Sequence, residues 1–359
     1  MHKCRTPGFI TSIIPIFIPH IGCPHRCVFC NQWQITGHHG LPSAEAIREL
    51  IQSYTASAGE GRHWEVAFYG GSFTAIPMEM QIKLLRPAYE ALEKGLIQGL
   101  RCSTRPDCIS EDILTNLKNY GLTCVELGVQ SMDDRVLQEA QRGHTAADVV
   151  AATALLRQYG FTVGHQLMPG LPGEDWDSLC RTTKAICRLR PDIARIYPVA
   201  VLKGTELATM YEEGRYKPLT IDEGVRRAAY MKQHFLERRI SCIRTGLQAT
   251  EDLDDASQVM AGAYTPAMGE LVDTYRYRKQ ILSFLRTLPT DEAVTISYHR
   301  RETSRVRGYR SLTVRTARWS LPLVLSWREG DVPLGHVYVF QGQTAYDLDM
   351  NSHAGPTMI

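Results

Sequence analysis

The sequence lacks a strong charge of either sign, a long apolar run and a dense set of cysteines. Its 359 residues carry a formal net charge of +2, so any affinity for nucleic acid must come from local patches. No apolar run reaches the roughly 18 residues that a membrane-spanning helix needs, so we expect no membrane contact. Ten cysteines are too few for a disulfide scaffold of this size, and their clustering near the N-terminus suits metal binding in a reducing compartment.

The N-terminal segment has some features of an export signal. A basic start and an apolar stretch lead to a Gly-Cys pair, as at a lipoprotein cleavage site. However, Pro15 and Pro19 interrupt the apolar stretch, and His20 stands where a small aliphatic residue is expected. We therefore expect a cytoplasmic protein.

Strands and helices alternate over the first two thirds of the chain. From about residue 13 to 245, apolar runs such as WEVAFYG and CVELGVQ are followed by amphipathic stretches such as SEDILTNLKNYG. Ser or Asp begins several of these helices and Gly ends them. Six or seven such units predict an α/β fold, a full or partial (β/α) barrel whose chemistry lies at the C-terminal ends of its strands.

The pattern changes after about residue 246. A polar, acidic stretch is followed by a predicted long helix over residues 263–288. The runs AVTISYH, RSLTVRT, PLVLSW and GHVYVF then predict antiparallel strands. We place a domain boundary at this point, which gives a barrel over residues 1–246 and a smaller C-terminal α+β domain over residues 247–359.

Three cysteines, Cys23, Cys27 and Cys30, follow the first apolar run. Their spacing places them on one tight loop, close enough to ligate a single centre. A cubane of four irons and four sulfides needs four ligands, so three thiolates leave one iron open to a small molecule. A chance grouping and a structural zinc are the alternatives, although zinc sites usually combine two separated ligand pairs. The fourth ligand of such a zinc could be His20, His25 or His38.

A glycine pair follows the second predicted strand. In AFYGGSFT, Gly70 and Gly71 lie at the edge of the barrel that also carries the cysteine loop. Glycine lets the backbone approach a ligand that a side chain would block. The pair therefore strengthens the prediction of a binding site at this edge.

These motifs resemble those of the radical S-adenosylmethionine (radical SAM) superfamily. CxxxCxxC with Phe29 before the last cysteine is similar to its signature, and GGSF resembles its second motif. More narrowly, GGSFT, STRPD, VELGVQSMDDRVL, RGHT, MPGLPG and RIYPVAVLKGTEL occur in the order seen in the catalytic subunit of Elongator and its short bacterial relatives. No acetyl-coenzyme A binding pattern follows, so the chain resembles the relatives that lack Elongator's acetyltransferase domain.

The resemblance implies a role for each of these residues. Cys23, Cys27 and Cys30 would hold one 4Fe-4S cluster, whose open iron binds the methionyl group of SAM. The residues implied near SAM are Phe29, Gly70, Gly71, Ser103, Gln130, Arg142, Gln166 and Tyr197. Three of them, Gln130, Arg142 and Gln166, occupy positions that contact SAM in oxygen-independent coproporphyrinogen oxidases, which have an acid in place of Gln166.

Several of these residues also have structural interpretations. Arg142 could pair with Asp133 or Asp134 on the surface. Gln130 could cap a strand end, and Tyr197 could belong to the core.

Glu126 is an acid that we expect inside the barrel. It lies an even number of residues from Gln130 on the same strand, so the two side chains would face the same way. An unpaired buried charge is costly, and we predict Arg105 as its partner.

The resemblance also implies a reaction. A low-potential donor of the flavodoxin or ferredoxin type would reduce the cluster, and SAM cleavage would yield a 5′-deoxyadenosyl radical that takes a hydrogen atom from the substrate. Elongator relatives act on the wobble uridine of transfer RNA, so we expect an RNA substrate, namely tRNA. The alternatives are an enzyme acting on a small molecule or tetrapyrrole, and a metal-stabilised binding module without turnover.

An arginine-rich segment near the C-terminus could bind such an RNA. Its arginines are Arg300, Arg301, Arg305, Arg307, Arg310, Arg315, Arg318 and Arg328. The interleaved aromatic residues are Tyr298, Tyr309, Trp319 and Trp327. Arginines suit phosphate contacts and aromatic rings suit stacking of unpaired bases. The alternative is a solvated sheet face whose arginines pair with acids of the barrel.

Overall fold

A seven-stranded parallel sheet forms the larger part of the protein. The computed structural model describes residues 10–18, 23–31, 40–56, 62–247, 258–352 and 355–359. The first nine strands are β1 (Ile10–Ile18), β2 (Arg62–Gly70), β3 (Gly99–Thr104), β4 (Leu122–Gln130), β5 (Thr162–Leu167), β6 (Ile193–Ile196), β7 (Ala200–Leu202), β8 (Ser241–Thr245) and β9 (Val259–Gly262). The sheet runs β1-β2-β3-β4-β5-β6-β8, and all of its pairs are parallel. With β1 and β8 as its edges, it confirms the partial (β/α) barrel.

Helices alternate with the strands of this sheet, and several of them pack on its outer face. They are α1 (Ala44–Ala56), α2 (Met78–Glu93), α3 (Glu111–Asn119), α4 (Asp134–Glu139), α5 (Ala146–Gln158), α6 (Trp176–Leu189), α7 (Glu206–Glu212) and α8 (Ile221–Glu237). Capping boxes fix the starts of α5, α6 and α8, with Thr145, Asp175 and Thr220 as the N-cap residues. Among the helices that the structure describes, none combines the length and the hydropathy that a membrane span requires.

The two faces of the sheet differ in polarity. Side chains that face the helices are apolar and buried, such as Ile14, Val66 and Phe68, and they pack with helix residues in one core. Along each strand the alternate residues face the other way, towards the barrel interior. That inner face carries charged and polar side chains, including Arg101 and Glu126, which are described with the site below.

A second sheet with its own core follows. Its strands are β10 (Val294–Tyr298), β11 (Leu325–Glu329), β12 (His336–Gln341), β13 (Thr344–Asp349) and β14 (Thr357–Met358), in the order β11-β10-β12-β13-β14. Its helices are α9 (Met268–Leu285), α10 (Thr303–Arg307) and α11 (Leu312–Ser320). This arrangement confirms the smaller α+β part of the predicted fold.

Helix α9 contributes to both cores. Met268 and Val272 in its first half belong to the core of the barrel, whereas Ile281 and Leu285 belong to the second core. Strand β9, which precedes this helix, pairs with β7 of the barrel region. The domain boundary at residue 246 stays a prediction.

Two details of the C-terminal prediction were wrong. The run RSLTVRT lies in a helical region that includes α11, because Thr313, Val314 and Ala317 are buried at helical spacing. The predicted strand ended before Ala317, so its period could not be recognised. Because this helical segment connects β10 to β11, the two strands pair in parallel rather than antiparallel.

Candidate active site

The cysteine loop follows β1 and is anchored to the barrel by its own backbone. Cys30 N donates to the carbonyl of Cys27 at 3.1 Å, which forms a turn between the last two cysteines. Val28 N donates to the carbonyl of Ala140 at 3.3 Å, and Leu207 N donates to the carbonyl of Val28 at 2.8 Å. Val28 is buried, and sequence reasoning missed its anchoring role because the motif draws attention to the thiols alone.

Two guanidinium groups lie beside the thiols. Arg142 Nη1 donates to Cys27 Sγ at 3.1 Å and Nη2 donates to the carbonyl of Gly128 at 2.6 Å, while its Nε is buried with no partner among the described residues. Arg105 donates to the carbonyl of Arg142 and holds Asp107 by two bonds of 2.9 Å. Arg142 therefore belongs to the interior of this site and not to a surface ion pair.

The surroundings of Cys23 combine burial with positive charge. Burial raises the pKa of the Cys23 thiol above its ordinary value, and the nearby Cys27 raises it further. A hydrogen bond from the backbone N–H of Ser72 and the charges of Arg105 and Arg142 act in the opposite direction. A cysteine binds metal as a thiolate, so groups that favour the thiolate also favour metal binding.

These residues fit an iron-sulfur cluster. All three cysteines are free thiols. Within the described parts of the chain, no three His, Cys, Asp or Glu side chains are arranged to hold one metal ion. The ligands of a 4Fe-4S cluster bind different irons, so its three thiolates need not converge on a single point as the ligands of one zinc do. Of the suggested zinc ligands, His20 and His38 lie outside the described residues, and the ring of His25 packs on Gly143.

The glycine pair lies next to the cysteine loop. Gly70 ends β2 with φ of 104°, and a Cβ on it would lie 2.7 Å from the carbonyl oxygen of Ile18. Gly71 N donates to that same oxygen at 2.5 Å. Ser72 follows, and its hydroxyl lies 2.8 Å from that of Thr104 at the end of β3. Hydrogen bonds to β1 and β3 thus hold the segment from Gly70 to Ser72. The sequence did not indicate the supporting role of Thr104.

Gln130, Arg142 and Gln166 lie close together. Gln130 ends β4 in the left-handed region with φ of 66°, and Gln166 Nε2 donates to its Oε1 at 3.4 Å. A Cβ on Gly128 would lie 2.9 Å from Gln130 Nε2 and 3.3 Å from Arg142 Nη2, so only glycine leaves room for both side chains. The structure therefore places the three residues where a common ligand could meet them, and their cofactor role stays a prediction.

The other predicted SAM contacts are more dispersed. Ser103 lies near the end of β3, and its hydroxyl donates to the carbonyl of Phe68 at 3.4 Å. Tyr197 follows β6, where its N–H donates to the carbonyl of Leu167 at 2.8 Å. Phe29 and Tyr197 are half-buried against one apolar cluster that also contains Val28. Tyr197 thus combines a packed ring with a hydroxyl on the inner face of the sheet.

The predicted pairing of Glu126 with Arg105 was wrong. Glu126 is 4% exposed and accepts hydrogen bonds from Arg195 at 3.1 Å, Arg101 at 3.4 Å and Tyr69 at 3.2 Å. Burial alone would raise the pKa of Glu126, but the charges and hydrogen bonds of Arg195 and Arg101 outweigh it and hold that pKa below its ordinary value. Arg101 and Arg195 lie on strands of the sheet, whereas Arg105 lies beyond the end of β3.

Arg195 connects this buried charge with two tyrosines. Its Nη2 donates to the hydroxyl of Tyr69 at 2.8 Å, and its Nη1 donates to that of Tyr197 at 3.3 Å. The Tyr69 hydroxyl donates its own hydrogen bond to Glu126. The hydroxyl of Tyr197 has no acceptor among the described residues, so its proton is available to a molecule bound inside the barrel.

Some residues of the arginine-rich segment form ion pairs or hydrogen bonds, and the others are exposed. Arg305 pairs with Glu270, Asp273 and Glu302. These acids lie within residues 247–359, whereas the alternative interpretation expected acids of the barrel. Arg307 donates to the hydroxyl of Tyr298, which is buried in the second core. The exposed arginines form no ion pair with a described residue; they are Arg300, Arg301, Arg310, Arg315, Arg318 and Arg328.

Comparison with known proteins gives consistent results. The family model described as the radical SAM superfamily matches residues 17–186, and the Radical_SAM C-terminal domain matches residues 191–278. A tRNA uridine(34) acetyltransferase of Methanocaldococcus jannaschii is 32% identical over 310 residues, which cover 75% of this chain and 56% of that protein. An uncharacterized protein of the same archaeon is 32% identical over 223 residues, which cover 58% of this chain and 67% of that protein.

A solved structure shares the fold. The archaeal Methanocaldococcus infernus Elp3 with an N-terminal deletion superposes with a TM-score of 0.61 at 20% identity, covering 94% of this chain and 74% of that chain. The chain spans about half the length of the curated relatives that it matches first, at 54%, 56% and 57%.

Proposed function

Because the chain belongs to the radical SAM superfamily, we propose that it cleaves SAM reductively at a 4Fe-4S cluster and uses the resulting radical to modify tRNA. A low-potential donor of the flavodoxin or ferredoxin type would supply the electron. A tRNA substrate would place the protein in the cytoplasm.

The observation that carries the chemistry is the convergence of separate chain segments at one edge of the sheet. The cysteine loop, the glycine pair, Gln130 and Arg142 come from different parts of the sequence, and a direct hydrogen bond links Arg142 to Cys27. The C-terminal edge of a barrel sheet is where ligands bind. A metal-stabilised binding module would not need the polar side chains that line the interior below this edge.

Each part of the site has its own task in this proposal. Cys23, Cys27 and Cys30 would hold the cluster, and Arg142 would neutralise part of its negative charge. Gly70 and Gly71 would leave room for the methionyl group of SAM. When bound, the cluster and SAM supply a one-electron cleavage of a carbon-sulfur bond.

The inner face of the barrel would hold the reacting group of the substrate. Arg195 donates a hydrogen bond to the Tyr197 hydroxyl there and fixes its position. The hydroxyl proton of Tyr197 has no acceptor among the described residues. A reactive radical requires a substrate group that is held in place, because it would attack most organic bonds within reach.

The relatives support tRNA as the substrate. Proteins named tRNA uridine(34) acetyltransferase match 60–75% of this chain. The exposed arginines between residues 300 and 318 supply local positive charge that the nearly neutral chain otherwise lacks.

Anaerobic reconstitution tests the proposal. The full chain is loaded with iron and sulfide, then incubated with SAM, a strong reductant and bulk tRNA. We expect 5′-deoxyadenosine and a new nucleoside by mass spectrometry. Cys27→Ala should abolish both products without unfolding the protein, whereas the control Cys180→Ala, outside the loop, should leave them unchanged. Zinc in place of iron, or normal 5′-deoxyadenosine from Cys27→Ala, would refute the proposal.

A further inference from the structure

An exposed surface of unusual composition lies between β10 and β11. It consists of Tyr309, Arg310, Leu312, Arg315, Arg318 and Trp319, which we call the aromatic-arginine face. Trp319 is 91% exposed and Tyr309 is 69% exposed. Exposed apolar side chains that are grouped and flanked by polar residues mark interaction sites, whereas single ones do not.

Helix α11 sorts these residues onto one side. Thr313, Val314 and Ala317 are buried on the side that packs against the second core. Leu312, Arg315 and Trp319 are spaced by three and then four residues, so they form a stripe on the opposite side. Arg318 lies on the flank of this stripe, next to Arg315 around the helix. Packing of the buried side therefore fixes the direction in which Trp319 and the arginines project.

A strained turn presents the other aromatic residue. Arg310 and Ser311 have φ of 49° and 56°, a left-handed conformation that side-chain-bearing residues rarely adopt. Arg310 places its guanidinium 5.2 Å from the ring centre of Tyr309. Two such residues in succession are disfavoured and need support from their surroundings, and conformations of this kind cluster at functional sites.

The face is positively charged throughout. No Asp or Glu occurs between Glu302 and Glu329. Glu302 is itself buried, where it accepts hydrogen bonds from Tyr277 at 2.7 Å and from Gly335 N at 2.9 Å. The exposed arginines of the face form no ion pair with any described residue, so their charge is open to an anionic partner.

We propose that the aromatic-arginine face binds unpaired nucleotides of an RNA, with Trp319 as a stacking surface and Arg315 and Arg318 on the phosphates. Bases in a duplex are already stacked on their neighbours, so an open tryptophan surface is of use only to unpaired bases. A second copy of the chain is a poorer partner, because a symmetric contact would bring the same arginines together. The inference rests on the proposed function only in taking RNA as the substrate.

Fluorescence anisotropy with the full chain tests this inference. The probes are a labelled single-stranded oligouridine and an RNA duplex of equal length, each titrated at several salt concentrations. Trp319→Ala should weaken binding of the single strand by about tenfold or more, as expected for the loss of one stacked base, with little effect on the duplex. Trp319→Phe, which keeps a ring, should recover most of the affinity.

Substitution of the arginines should change RNA binding in a different way from substitution of Trp319. Arg315→Gln combined with Arg318→Gln should weaken both probes and flatten the dependence of affinity on salt, because two phosphate contacts are lost. Trp319→Ala should leave that slope unchanged. The matched controls are Trp176→Ala, another partly exposed tryptophan, and Lys83→Gln with Arg86→Gln, two exposed cations on α2. Both controls should bind as the wild type does.

Several outcomes would overturn the inference. Unchanged single-strand affinity in Trp319→Ala, or an equal loss on the duplex, would exclude a stacking role. Sedimentation that shows a dimer broken by Trp319→Ala, with RNA binding intact, would identify a second copy of the chain as the occupant.

The binding assay is independent of the chemistry. It uses neither SAM nor reductant, so a protein that fails to cleave SAM can still satisfy it, in which case only the proposed function fails. Conversely, SAM cleavage and tRNA modification with no effect of Trp319→Ala on binding would leave the proposed function intact and refute this inference alone.

Discussion

At the scale of single residues, Arg142 has the most direct connection to the proposed chemistry. It is buried, it donates to Cys27 Sγ, and its backbone carbonyl is held by Arg105. A cation beside a negatively charged cluster favours the reduced state, because reduction adds a further negative charge. Arg142 is therefore expected to influence the cluster itself as well as the cofactor.

We predict that Arg142→Gln lowers the midpoint potential of the reconstituted cluster. The shift should be on the order of 50–100 mV, as for removal of a unit charge at short range in a medium of effective dielectric roughly 20. Redox titration followed by electron paramagnetic resonance measures it. Arg135→Gln, an exposed arginine on α4, is the control. An unchanged potential would place Arg142 outside the surroundings of the cluster.

Glu126 is the acid that balances the positive charges on the inner face of the sheet. Its carboxylate is the common partner of Arg101, Arg195 and Tyr69. Arg101 also pairs with Glu65 on β2. Without Glu126, the guanidinium of Arg195 would have no acidic partner among the described residues.

We predict that Glu126→Ala lowers the free energy of unfolding by about 3 kcal/mol, because it leaves a buried charge uncompensated. Urea denaturation measures the change. Glu65→Ala should cost less, since the side chain of Glu65 is more exposed than that of Glu126. Equal effects of the two substitutions would show that the network is not centred on Glu126.

At the scale of structural elements, the loop between β5 and α6 is held by its neighbours. Glu174 accepts a hydrogen bond from Gly170 N at 2.7 Å and from Arg227 of α8 at 2.5 Å. Tyr216 donates to the carbonyl of Gly170 at 2.5 Å, and Arg135 of α4 donates to that of Gly173 at 2.8 Å. The loop thereby fixes the end of β5 on which Gln166 lies.

Glu174 should make the stability of the protein depend on pH. Its side chain is 3% exposed, and burial raises its pKa to about 7 despite the opposing effects of Gly170 N–H and Arg227. The folded state therefore binds this proton more tightly than the unfolded state does. The resulting stability is fully present below the unfolded pKa of 4.5 and is lost as pH rises through about 7.

We predict that Glu174→Gln, which cannot ionise, removes this part of the pH dependence. The free energy of unfolding of the wild type, relative to that of the variant, should fall by about 2–3 kcal/mol between about pH 5 and about pH 8. Urea denaturation at both pH values gives the comparison, with the exposed Asp177→Asn as the control. A difference that is constant with pH would contradict the raised pKa.

At the scale of the whole molecule, a cluster of charges joins the barrel to the C-terminal part. Asp273 of α9 accepts from Lys232 of α8 at 2.7 Å and from Arg276 at 2.9 Å, and it lies 3.8 Å from Arg305 of α10. Arg276 also donates to the carbonyl of Met350 at 2.7 Å. The Asp273 carboxylate thus links α8, which packs on the core of the barrel, with α10 of the C-terminal part.

We predict that Asp273→Ala loosens the C-terminal part from the barrel. Three cations would lose their shared partner, so the free energy of unfolding should fall by about 3 kcal/mol. Hydrogen exchange should increase in β10, β12 and β13 more than in β2 to β5. Glu270→Ala is the control, because the ion pair of Glu270 with Arg305 is long and exposed. Uniform loss of protection across both sheets would contradict this prediction.

The sequence alone determined the features that depend on residues close together in the chain. Alternating apolar and amphipathic stretches predicted the α/β barrel, because strand and helix periods are visible within a window of roughly 11–18 residues. The spacing of Cys23, Cys27 and Cys30 and the position of Gly70 and Gly71 predicted the site edge for the same reason. The error over residues 310–316 arose because that window was too short to show a helical period.

Only the tertiary structure decided which distant residues meet. Arg142 contacts Cys27 across 115 positions, and Glu126 pairs with Arg101 and Arg195 instead of Arg105. Such pairs depend on the register of strands that are far apart in the sequence, and a change of one residue in register reverses the face on which a side chain lies. The burial of Tyr298 and the exposure of Trp319 likewise depend on how helix and sheet pack, which composition does not specify.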